Sequence, residues 1–276
     1  MVESQGVAAT VDAAGPTPTG QVVVVMSAKG GCGATLVACN LAHSMAAGAR
    51  VCLVDLDVGC GDVAGMLDLR SRRSLNVVLD QLAGGDESLL IGAADVLPGG
   101  LHVLAQPFEL EELRELRAEE ARSLLALARR SFQTVIVDVG SSMHLGALAA
   151  VEGAELVVIV ATPDVPSLRD ALRKLRLLHR VGVGQDRIRL VLNKVSGDSA
   201  VSPAEVEEQL GVEIAARLVR DDAACLRADT HGHLLERAAP RSRLTHQLST
   251  LWQTLHQPST VVPLPPVAGL WHRRTS

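Results

Sequence analysis

Residues 29 to 35 read Lys-Gly-Gly-Cys-Gly-Ala-Thr, between a run of four valines, Val22 to Val25, and an apolar segment, Leu36 to Ala47. A buried strand, a glycine-rich turn and a helix start, in that order, aim backbone N–H groups and the positive helix end at one point, where a phosphate fits. Gly30, Gly31, Cys32, Gly33, Ala34, Thr35 and Leu36 are the expected phosphate contacts, and Thr35 can offer its hydroxyl to Mg²⁺. Carboxylates close two further apolar runs: Asp55 and Asp57 in Leu53-Val54-Asp55-Leu56-Asp57, and Asp138 in Thr134-Val135-Ile136-Val137-Asp138. Acidic groups just past a strand's carboxyl end border the crevice where open α/β sheets bind ligands, so they can hold a metal or a water.

For these groups to meet, the segments carrying them must be strands of one sheet with their carboxyl ends aligned. Short apolar runs alternate with longer amphipathic segments from Gln21 to about residue 256, the pattern of repeated βα units. The expected strands are Val22–Met26, Val51–Asp55, Leu101–Ala105, Thr134–Val139, Leu156–Ala161, Ile188–Asn193 and Glu213–Val219, most of them fully apolar as buried parallel strands are. Leu110, Leu113, Ala121, Leu124, Leu125 and Ala128 recur at helical spacing and predict one covering helix. Ser202-Pro203-Ala204-Glu205 is a capping-box pattern with proline at the first helical position. The expectation is a single α/β domain over residues 21–256: a doubly wound, mostly parallel sheet with helices on both faces. A disordered leader (1–20) would precede it and a proline-rich C-terminal tail (257–276) would follow.

Composition agrees with that class. The chain has 276 residues, 47% hydrophobic but only 1% aromatic, so Val, Leu, Ile and Ala must fill the core. The net charge of −5 gives no general drive toward nucleic acid or anionic lipid. Five cysteines without a C-x-x-C pairing point to a reducing cytosol and a cytoplasmic address. No segment reaches the roughly 18 uncharged apolar residues of a membrane span, so any membrane association is peripheral. Neither G-x-S-x-G nor a strand-borne G-x-G-x-x-G occurs, which removes the hydrolase and dinucleotide readings. Arg169, Arg173, Arg176 and Arg180 recur at helical spacing as one basic stripe, either a solvated face or a docking surface for an acidic partner, nucleic acid or anionic lipid. His231-Gly232-His233 lacks a neighbouring acidic or thiol ligand and reads as a flexible loop, not a metal site. Cys32 reads as filler of a variable loop position.

A strict G-x-x-x-x-G-K-[ST] motif is absent, because Ala28 replaces its first glycine and Ala34 its lysine. The arrangement K-G-G-x-G-x-T resembles instead the deviant Walker A of the MinD/ParA superfamily of P-loop ATPases. The resemblance extends to Asp55-Leu56-Asp57 as the D-x-D switch, Asp138 with Gly140 as Walker B and second switch, and Asn193 as the adenine-reading residue. Gly61-Asp62-Val63-Ala64 resembles the CpaE/TadZ branch, localisation factors for Tad-type (Flp) pilus assembly with relatives described as septum-site-determining proteins. It implies ATP and Mg²⁺ as cofactors, the metal served by Thr35, Asp55 and Asp138. It also implies a homodimer formed on ATP binding. In that dimer Lys29 would reach the partner's phosphates, Asp57 would orient the attacking water and Asp138 would act on Mg²⁺ through water.

Two functions follow from the resemblance. One is a nucleotide-gated scaffold that recruits a pilus or polar assembly, with weak or no hydrolysis, at the pole or inner membrane face. The other is a ParA/MinD-like ATPase in chromosome partition or septum placement. Ala34 favours the first, since fast-cycling members of the superfamily keep that lysine. The MinD-type amphipathic C-terminal anchor has no counterpart in the proline-rich tail. Twenty residues ahead of the first strand are too few for the receiver-like domain of many CpaE proteins, so regulation through such a domain is not expected.

Overall fold

A computed structural model describes residues 20–58, 61–69 and 74–257. Apart from Gly20 and Gln257, the expected leader and tail lie outside these residues, as do Gly59 and Cys60. Eight strands form one sheet: β1 (Gln21–Ser27), β2 (Val51–Asp55), β3 (Asp95–Val96), β4 (His102–Leu104), β5 (Thr134–Asp138), β6 (Leu156–Ala161), β7 (Ile188–Val195) and β8 (Ile214–Val219). Their order is β3-β4-β2-β5-β1-β6-β7-β8, parallel throughout except for the β3–β4 pair. The sheet is therefore the expected doubly wound α/β type. The two-residue antiparallel edge strand β3 was not expected, being too short to carry a period.

The central strand explains the rest. Val22, Val23, Val24 and Val25 are wholly buried because β1 has β5 on one side, β6 on the other, and helices over both faces. Crossovers between parallel strands are right-handed. The helix Ala34–Ala46, leading from β1 outward to β2, therefore covers one face. The helices Ala118–Ser131, Leu145–Gly153 and Val165–Arg180, whose crossovers run in the other direction along the sheet, cover the opposite face. The carboxyl ends of β1, β2, β5, β6 and β7 consequently share one edge, with the switch in winding direction at β1.

Two local expectations change. The single helix expected from Leu110 to Ala128 is broken: Leu110–Glu112 is a short 3₁₀ turn, the chain then runs without regular structure, and the helix spans Ala118–Ser131. The break follows from a capping box that periodicity does not reveal, in which Arg117 is extended and the Glu120 carboxylate accepts its backbone N–H at 3.0 Å. His231 is not in a flexible loop but ends the helix Asp222–His231, which Gly232 closes in the left-handed conformation at φ 58°. The Ser202/Glu205 capping box forms as expected, with the helix starting at Pro203.

Glu120 also pairs with the guanidinium groups of Arg114 and Arg117, each at 2.9 Å. The hydrogen bond from Arg117 is the largest of the causes that hold its carboxyl at about 2, against an ordinary 4.5. A carboxyl depressed in the folded state stabilises above its unfolded value, and the contribution disappears as pH falls through the folded one. Glu120→Ala is expected to cost about 1–2 kcal/mol at neutral pH. Urea unfolding of both proteins should show that difference in full above roughly pH 5 and shrinking as pH drops toward 2.

Candidate nucleotide-binding site

The loop after β1 has the shape the glycines require. Gly31 and Gly33 lie at φ 82° and 89°, where only glycine is unstrained. A Cβ on Gly33 would stand 2.6 Å from Asn193 Nδ2, so that position is doubly restricted. Backbone bonds fix the root of the loop to both neighbouring strands: Ser27 N–H donates to Gly140 O and Ala28 N–H to Val160 O, both at 2.8 Å. Asn193 completes the frame from the end of β7, with Nδ2 donating to Cys32 O at 2.8 Å and Oδ1 accepting the Lys194 N–H at 2.8 Å. Cys32, 1% exposed with Sγ 3.3 Å from Ser167 Oγ, is packing filler and not an exposed thiol.

A cleft of about 630 Å³ opens over the helix N-terminus. Gly30, Gly31, Gly33, Ala34, Thr35, Leu36, Asp57 and Asn193 all line it, so the structure brings most of the expected contacts to one place. Its other wall comes from the segment after β8, Arg220 to Leu226, which sequence reasoning did not find because no motif marks it. Asp55 and Asp138 do not line the cleft; they are register partners on the adjacent strands β2 and β5, both wholly buried. One oxygen of each is used: Asp55 Oδ1 accepts the Asp57 N–H and Asp138 Oδ1 the Gly140 N–H, both at 3.0 Å. The second oxygens, Asp55 Oδ2 and Asp138 Oδ2, are buried without a hydrogen-bond partner.

Burial is the main cause that pushes both carboxyls up. Asp138 rises to about 6, with the Thr35 hydroxyl and the Gly140 N–H pulling the other way, and Asp55 rises well above the usual range, with the Asp138 charge adding to burial. Asp57, half-buried above them, is raised mainly by burial as well. Two dry carboxylates side by side, each with an unbonded oxygen and a threonine hydroxyl at hand, are the donor set a small divalent cation satisfies. The residues present thus fit the Mg²⁺ expected from the sequence.

The three lysines take three different places. Lys29 turns away from the cleft into the adjoining groove beside Asp164 and Asp198, its Nζ 3.5 Å from Gly30 O. Lys194, at φ 57°, sets its Nζ 2.8 Å from Gly31 O. Lys174 is buried, and its Nζ donates to Ser141 O at 2.5 Å, just behind Gly140. Sequence reasoning missed it, although it falls among Leu168, Ala171, Leu175 and Leu178 on the apolar face of its helix, where a charge is out of pattern. On the same helix Arg169, Arg173 and Arg180 are exposed and Arg176 is half-buried, so the basic stripe lies on the outer face. His231 and His233 stand with ring centroids 5.9 Å apart, and no group of three or more His, Cys, Asp or Glu that could hold a metal occurs among the described residues.

Without a cation, the Asp55–Asp138 pair opposes folding. Asp138→Asn is expected to raise the melting temperature of the nucleotide-free protein, since removing a buried unpaired charge recovers about 1–3 kcal/mol, roughly 2–4 °C per kcal/mol at this size. The same variant should lose the stabilisation that Mg²⁺ with nucleotide gives the wild type, which differential scanning fluorimetry reads directly.

Comparison with known proteins agrees with this geometry. The model of the CobQ/CobB/MinD/ParA nucleotide binding domain matches residues 23–235. The septum site-determining protein MinD of Bacillus subtilis is 28% identical over 223 residues, covering 77% of this chain and 81% of its own. The crystal structure of a ParA family ATPase from Chlorobium tepidum superposes with a TM-score of 0.77 at 26% identity, over 86% of this chain and 99% of that one. The septum site-determining protein MinD of Pyrococcus horikoshii, solved with Mg-ADP, shares the fold with a TM-score of 0.73 at 18% identity, over 86% and 96%. With strand order, loop and paired carboxylates in place, the chain belongs to the CobQ/CobB/MinD/ParA nucleotide-binding family.

Proposed function

We propose that the chain is an ATP- and Mg²⁺-binding protein of the CpaE/TadZ kind, whose ATP-bound homodimer recruits a pilus or polar assembly with weak or no hydrolysis. The observation that carries this reading is the pairing of Ala34 in the loop with Lys29 outside the cleft. An ordinary P-loop lysine sits on the β and γ phosphates, and such a charge-assisted bond is worth roughly 1.5–3 kcal/mol. Loop amides and the helix N-terminus still cradle the phosphates, and bound Mg²⁺ would offset their charge from Thr35, Asp55 and Asp138. Binding survives, while phosphoryl transfer, which depends almost wholly on stabilising developing charge, is slowed more. Asp57, which lies against Gly140, would orient the water. Asn193 Oδ1 retains a lone pair for the exocyclic amine of adenine while Nδ2 holds the loop.

Lys29, partly exposed at the edge of the loop and directed outward, supports a role across a subunit interface. The septum-placement alternative is supported by the MinD relatives, which match over most of their length; partition of DNA draws no support from the net charge. No helix among the described residues is long and apolar enough to cross a membrane.

Light scattering coupled to size exclusion tests the dimer. The wild type should double in mass with Mg-ATP and not with Mg-ADP. Lys29→Ala should remain monomeric with either nucleotide while melting like the wild type. Dimers of Lys29→Ala that form normally with ATP would make Lys29 an ordinary loop residue.

A further inference from the structure

Lys174 has no part in the reading above, yet it is a charged side chain buried near the cleft. It is 8% exposed, on the third turn of a helix whose inner face is otherwise leucine, alanine and serine. Burying an ammonium is expensive, and an apolar residue there would ordinarily be neutral or stabilising. Its ammonium donates to Ser141 O; burial lowers its affinity for a proton, and Asp170 first, then Cys32 and Asp57, raise it. Ser141, Gly140 and Asp57 line the cleft together, and a Cβ on Gly140 would stand 2.0 Å from the Asp57 carboxylate. Lys194 is anchored to Gly31 beside Asn193, and Lys29 faces another groove.

We propose that Lys174 supplies, from within the same subunit, the positive charge at the terminal-phosphate end of the cleft that Ala34 does not carry. In the nucleotide-free chain its ammonium rests on the Ser141 carbonyl, behind the loop that carries Gly140. With a triphosphate bound, that ammonium and the terminal phosphate attract each other across this loop, so the charge favours ATP over ADP. The inference rests on the nucleotide-binding reading and adds to it the residue that distinguishes the two nucleotides.

The test uses the full chain, Mg²⁺, and direct titration with fluorescent ATP and ADP analogues. Lys174→Met should lower ATP affinity about tenfold or more and change ADP affinity less than about threefold, with the nucleotide-free melting point equal to or above that of the wild type. Lys174→Gln, which keeps a donor for Ser141 O but no charge, should behave like Lys174→Met; if the methionine variant does not fold, it carries the comparison. Adding Ala34→Lys to either variant should restore preference for ATP, because the lost quantity is a charge and not a strut. Equal affinities in wild type and Lys174→Gln would overturn the inference while leaving nucleotide binding intact. A parallel loss of ATP and ADP binding that Ala34→Lys does not restore would also overturn it, showing a structural role. A wild-type chain that binds neither analogue would overturn the nucleotide reading itself, and this inference with it.

Discussion

Asp55 and Asp138 lie side by side, wholly buried, each with one oxygen unbonded. Two like charges out of water repel at short range, so the arrangement persists only because the sheet over-determines it. The backbones of β2 and β5 are locked in register by their ladder, and each is covered by helices whose apolar faces have no alternative packing. The stability that resides in the valine-rich centre is what allows the carboxyl edge to be strained electrostatically. The loop glycines, Thr35 and the wall after β8 are then arranged around that concentrated negative charge.

Much of this was readable from residue order. Each of the seven expected runs became a strand; a buried parallel strand has only one composition available to it, so Val22–Val25 and Leu156–Ala161 could be little else, whereas β8 is mostly half-exposed. Asp55, Asp57 and Asp138 were legible for the same reason, since a polar group at the end of such a run must stand at the sheet's edge, and Thr35 was legible from the glycine-rich turn before its helix. What escaped was set by tertiary contact. The Arg117–Glu120 cap broke a helix that periodicity had joined, because its first member is an arginine and not one of the Ser, Thr, Asp or Asn that mark a helix start. Asn193 read as a base contact, whereas the fold also employs it to hold Cys32 O. Lys174 was visible only as one of three lysines; its meaning required knowing that its face is turned inward.

The distribution of cations separates this member of the family from a standard P-loop. Nearly all its basic residues are arginines, always charged and geometrically rigid; among the described residues most reach solvent, as on the outer face of the Val165–Arg180 helix, while Arg189 is buried. The lysines, whose compact charge can be desolvated, lie in the loop, on its flank and on the inner face of that same helix.

The bonds that hold the glycine-rich loop have a kinetic consequence. With Ser27, Ala28 and Cys32 each fixed to a different neighbouring strand segment, the loop is already in shape before any ligand arrives. Little conformational entropy remains to be lost on binding, so association would be governed by diffusion into the cleft and selectivity between nucleotides by their residence times. The clock of such a protein would then be set by release, and a partner that loosened Asn193 from Cys32 would shorten the bound state without touching the nucleotide.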